Sequence, residues 1–240
     1  MKRCTMITLA LCILFTQPVH ALDLMGIMKN LGSSPTAAPA DTATIDRGLR
    51  EALSVATNRA VTSVGATDGY FGNKAIQILL PERFKLVGDT LSKLGYQKEV
   101  DAFVLSMNRA AEKAAPKAAD HFISAIKEMS FDDAKGILNG GNTAATEYLQ
   151  KKTSDRIHES FKPVIMESMS QVGVTRSYKD MMKPYEALPL MPKQALDLDG
   201  YVTDKAVAGL FLMLGEEEKK IRANPAARTT ELLRTVFGGK

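Results

Sequence analysis

From Thr44 onward, apolar side chains recur every three or four residues along most of the chain. That is the spacing of one helical face at about 3.6 residues per turn. Ile45, Leu49, Ala52, Leu53, Ala56, Ala60, Val61 and Val64 trace the first stripe, which Gly65 stops. Gly65 to Gly72 reads as a turn-rich loop. Ile76, Ile78 and Leu80 alternate, but no second strand is evident, so this segment is expected as extended coil. Pro81 suits a first helical position, and Phe84, Val87, Leu91 and Leu94 then run to Gly95. Val100, Phe103, Val104, Met107, Ala111 and Ala114 form the next stripe, which Pro116 ends or kinks before Phe122, Ala125, Ile126 and Met129. Ser130 with Asp133 has capping-box spacing, and Gly140-Gly141 closes that short helix.

Thr143 to Tyr148 predicts one further helix, and Ile157, Phe161, Val164, Ile165, Met169 and Val172 a longer one kinked near Pro163. Thr175 can cap a short Tyr178–Met182 helix, and Pro184, Pro189 and Pro192 mark a loop. Asp199 is expected to cap the last long helix, to about Ala223, and Asn224-Pro225 restarts a terminal one that stops at Gly238-Gly239. The class is therefore all-α, a compact bundle of eight to ten helices. Its centre is expected at Ala206 to Leu214 (AVAGLFLML), a stretch near the C-terminus with no polar side chain. Glu218 continues the line of Val207, Phe211 and Leu214. The favoured reading brings it out of the core into solvent; the other buries it with a cation such as Arg228.

The N-terminus follows another pattern. Lys2 and Arg3 precede an uncharged apolar run, Ile7 to Phe15, and Val19-His20-Ala21 offers a small-x-small cleavage end. This predicts a cleavable signal peptide over residues 1–21, its run too short for a bilayer core of about 30 Å. Residues 22–43 are an apolar peptide (LDLMGIMKNL) followed by a Pro/Ala/Ser linker, and residues 44–240 a single helical domain. Export out of the cytoplasm follows, with no transmembrane span in the mature chain. Both cysteines, Cys4 and Cys12, lie in the leader, so the mature chain carries no disulfide, thiolate metal site or cysteine nucleophile. The formal charge of +4 falls to about +2 when Lys2 and Arg3 leave, and the charges are finely interleaved (Glu216–Lys220, EEEKK). Nucleic-acid binding has no electrostatic footprint.

Catalytic signatures are weak. Only His121 and His158 remain after residue 21, without HxxxH or HExxH spacing, and both are expected at the surface or half-buried. The Ser124–Lys127 SxxK and Ser106–Asn108 SxN pairs lie in the wrong order for penicillin-recognising enzymes. Met166, Met169, Met181, Met182 and Met191 fall close together and read as adaptable core or pocket lining rather than a copper site. No cofactor, metal or catalytic residue is assigned. Asn108 and Glu112 sit about 80° and 120° from the centre of their stripe, where helix–helix hydrogen bonds are favoured over a ligand site.

Three stretches, Phe103 to Pro116, Leu198 to Phe211 and Glu216 to Phe237, together with Thr67 to Phe71 and the leader, resemble the bacterial domain-of-unknown-function family numbered 4197. The resemblance implies an exported, mostly helical protein of the Gram-negative periplasm and carries no activity. Within those motifs and on the Glu218 line, the candidate ligand-binding residues are Asn108, Arg109, Glu112, Tyr201, Glu218, Arg228 and Thr229. The expected function is non-catalytic binding of an apolar small molecule, a lipid-like ligand or an envelope partner. An enzyme using carboxylates such as Glu112 or Glu218 as acid or base is the alternative, and a purely structural interaction module the third.

Overall fold

The computed structural model describes residues 42–171, 179–180, 183 and 197–224. Its elements are α1 (Thr42–Gly65), α2 (Glu82–Lys93), α3 (Gln97–Ala114), a 3-10 turn (Ala115–Lys117), α4 (Ala118–Lys127), α5 (Phe131–Asn139), α6 (Ala144–Gln171) and α7 (Leu198–Ala223). No strand occurs among the described residues, so the all-α class holds; residues 74–76 form a turn and 77–80 are coil. The leader, the 22–43 segment, the Thr175 cap, most of the proline loop and the terminal helix after Asn224 lie outside the described residues.

Among those residues the helices are fewer than the expected eight to ten. One cause is α6, where the two predicted pieces at 143–148 and 157–172 are a single helix of 28 residues. Its buried line is Ala145, Leu149, Thr153, Ile157, Phe161 and Ile165, an unbroken four-residue step. Thr153 bridges the polar stretch between the apolar runs because its hydroxyl donates to the Leu149 carbonyl, which lets the side chain bury at 1 % exposure. Pro163 sits inside α6 at an exposed position.

α7 packs on α6 over the largest interface, and on α1 and α3; α6 also covers α3 and α4. Phe103, Phe122, Phe161, Leu149, Ile165 and Leu210 fill the space between them, with Phe122 and Phe211 edge to face at 5.8 Å between ring centres. Ala110, Ala111, Ala114, Ala115 and Ala118 are fully buried around the 3-10 turn, so α1, α3, α4 and α6 approach closely there. Pro116 lies within that turn, where the missing N–H separates α3 from α4.

Ser130 and Asp133 form the predicted capping box at the start of α5. The cap of α7 is Asp197 rather than Asp199, its carboxylate accepting from the Gly200 N–H at 2.8 Å. The apolar run in α7 is also not buried all round. Ala206, Gly209, Leu210, Phe211 and Leu214 face the core, whereas Ala208 and Leu212 face outward, Leu212 at 45 % exposure.

Candidate functional site

The polar residues of α3 hold the segment that precedes α2. Asn108 is fully buried and treats Ile78 as a strand partner would: its Oδ1 accepts from the Ile78 N–H and its Nδ2 donates to the Ile78 carbonyl, both at 2.8 Å. The second Nδ2 hydrogen goes to the Val104 carbonyl, so the amide is fully engaged. One turn on, Glu112 is 5 % exposed and accepts through Oε1 from the Tyr70 and Phe71 N–H groups, at 3.1 and 3.2 Å. Its Oε2 takes Arg109 Nη1 at 2.6 Å, and Arg109 Nη2 reaches Asp68 at 2.6 Å. Gly69 fits in this loop because a Cβ there would lie 2.4 Å from the Ser63 carbonyl oxygen. Tyr70 is buried behind the loop, its hydroxyl donating to the Ala206 carbonyl at 2.6 Å. Burial, then the Glu112 charge, push that hydroxyl far above the ordinary tyrosine pKa.

Glu218 forms a second polar centre, at the other end of α7. It is 6 % exposed, which overturns the expectation that it emerges into solvent. Its partner cation is Arg222, one turn on the same helix at 2.8 Å, and Arg228 lies outside the described residues. The physical reason for burial is the start of α6, whose first N–H groups have no partners within the helix. Glu218 Oε1 accepts from the Ala145 N–H at 3.0 Å, and Oε2 accepts from the Thr146 N–H and hydroxyl, both at 2.8 Å. Arg222 donates in turn to the Ile137 carbonyl near the end of α5. A cavity of about 20 Å³ beside them, lined by Leu49, Leu53, Leu149 and Leu214, has room for about one water.

The third place is a surface groove of about 320 Å³ between the 75–80 segment, the start of α2 and the outward line of α7. Leu79, Leu80, Ala208 and Leu212 give it apolar walls, with Leu79 at 53 % exposure. Gly209 lets the segment lie directly on α7, since a Cβ there would stand 2.8 Å from the Tyr70 ring and 3.1 Å from Ile76. Tyr201 lines the groove and donates its hydroxyl to the Leu79 carbonyl at 2.9 Å; burial, then the Glu82 charge, raise its pKa. Lys205 lies over the Tyr201 ring, its Nζ 5.8 Å from the centre, and Lys85 pairs with Glu82 at 2.7 Å.

Of the predicted site residues, Asn108, Arg109 and Glu112 thus come together, but as anchors of the 68–80 chain. Glu218 is a helix cap, and of the described candidates only Tyr201 reaches the groove. Arg228 and Thr229 lie outside the described residues, as do Met181, Met182 and Met191. His121 and His158 are half-buried, His121 beside Ser160 and His158 beside Asp204. The groove residues missed from sequence are Leu79, Lys85, Lys205 and Leu212. The available signal was the alternation at 76–80, which turns Leu79 away from the buried Ile76 and Ile78.

Among the described residues, no helix is long and apolar enough to cross a membrane. No curated protein and no solved structure matches the chain. A family model described as protein of unknown function (DUF4197) matches residues 39–238, which includes every described helix, and the chain belongs to that family.

Proposed function

We propose that this chain is an exported, non-catalytic periplasmic protein that binds an apolar or amphipathic small molecule in the groove between the 75–80 segment and α7. One observation carries the reading. The helix run without a polar side chain leaves Ala208 and Leu212 exposed, and both stand in a concavity of about 320 Å³ rather than on a flat face. That volume is at the lower end for small-molecule sites, roughly 300–1,000 Å³. Tyr201 and Asn108 hold the facing segment in place from its two sides, so the groove has a fixed wall before any ligand arrives. Export rests on the leader-like first 21 residues.

The reading as an enzyme with Glu112 or Glu218 as acid or base has less support. Both carboxylates spend their acceptor positions on backbone N–H groups and an arginine, and Glu218 adjoins space for one water only. General acid–base work needs a carboxylate within reach of a substrate proton. Native mass spectrometry of protein isolated from its own periplasm tests the proposal. A co-purifying small molecule is expected, absent from an Ala208→Glu variant that puts a carboxylate in the groove. A bare mass for the unaltered chain contradicts it.

A further inference from the structure

We infer that the groove takes one single-chain amphiphile with an anionic head, a free fatty acid, its carboxylate set against Lys205 and its chain along Leu79, Leu80, Ala208 and Leu212. This rests on the groove being the binding site. The charge around it is what selects the head. Three ionised side chains line the groove, Glu82, Lys85 and Lys205, and Glu82 is already paired with Lys85. The nearest carboxylate in sequence to Lys205, Asp204, turns to His158 at 3.0 Å. Among the described residues Lys205 has the face of Tyr201 and no carboxylate partner, so the groove's described lining carries one uncompensated positive charge at its rim. A cation over an aromatic ring is held in place yet leaves its hydrogens for an anion.

The apolar walls set the other half of the ligand. Each methylene that leaves water is worth about 0.8 kcal/mol, which reads as about a fourfold gain in affinity. A carboxylate facing a solvated lysine adds up to about fivefold, and that increment is screened by salt.

Calorimetric titration of the full chain with decanoate, dodecanoate and 1-dodecanol, all below their aggregation limits, tests the assignment. Dodecanoate is expected to bind at least tenfold tighter than decanoate and up to about fivefold tighter than dodecanol. The preference over dodecanol should vanish in Lys205→Gln, persist in Lys205→Arg, and shrink in 1 M salt. Circular dichroism melting checks that each variant folds. Equal binding of dodecanoate and dodecanol overturns the anionic head while leaving the groove as a binding site. A carboxylate preference that survives in Lys205→Gln overturns the assignment to Lys205. Binding of neither ligand overturns both this inference and the function it rests on. Sedimentation with phosphatidylglycerol vesicles, lost in Lys205→Gln while free dodecanoate fails to bind, overturns the fatty acid in favour of a membrane surface.

Discussion

Glu218 offers the sharpest energetic test, because its four acceptor contacts all serve structure. Glu218→Ala strips the partners from the Ala145 and Thr146 N–H groups and the Thr146 hydroxyl, and leaves Arg222 at 12 % side-chain exposure without its carboxylate. Breaking a buried ion pair from one side costs about 3–5 kcal/mol. That is a large part of the roughly 5–15 kcal/mol that holds a domain of this size together. Urea unfolding followed by far-ultraviolet circular dichroism reads the loss as a drop in midpoint at an unchanged slope. Thr146→Val removes only the hydroxyl's bond to the same carboxylate and should cost about 1.5–3 kcal/mol. The double variant Glu218→Leu with Arg222→Met separates capping from charge pairing. If the pair mattered only as two charges, apolar replacement would be close to neutral. The Ala145 and Thr146 N–H groups and the Ile137 carbonyl would still be orphaned, so the double variant should remain at least about 2 kcal/mol less stable. A Glu218→Ala loss below about 1 kcal/mol, or a neutral double variant, refutes the helix-capping argument.

Other predictions follow from the anchors on α3. Asn108→Leu should cost about 2–4 kcal/mol by orphaning both backbone groups of Ile78, and hydrogen exchange should quicken around residues 76–80. Gly69→Ala forces a Cβ against the Ser63 carbonyl and should lower the melting temperature by several degrees, an overpacking cost of about 1–3 kcal/mol. Tyr70 supplies a pH test. Its folded pKa is raised, so its contribution is whole below the unfolded value of about 10 and is lost as pH rises beyond it. The unfolding free energy from urea titration should therefore fall more steeply above pH 10 in the unaltered chain than in Tyr70→Phe, by up to about 1.4 kcal/mol per pH unit. At pH 7, Tyr70→Phe should cost only about 0.5–1.5 kcal/mol for the lost bond to Ala206.

Helices whose buried face is spelled in apolar residues were legible from spacing alone. α1 and α3 match their stripes, and the Ser130–Asp133 box sits where its spacing places it. What escaped the period was polar burial. Thr153 looks like a surface residue within Lys151-Lys152-Thr153-Ser154, yet its hydroxyl is satisfied inside its own helix and α6 runs on through it. Glu218 lies on an apolar line of the helical wheel, but its partner is a helix terminus 72 residues away, which no local pattern encodes. Asp197 and Asp199 both have cap chemistry, and only the observed turn chooses between them. The groove was hidden for a related reason. A run without polar residues carries no mark of which side meets solvent, so Leu212 reads the same as Leu210.

A ligand groove on α7, with the buried charges reserved for structure, can be read residue by residue by amide NMR of the full chain titrated with dodecanoate. Saturable shifts should gather at residues 75–85 and 201–212, with the amides of Ala145 and Thr146 unmoved. Shifts centred on Ala145, Thr146 and Glu218, or no saturable change anywhere, would contradict it.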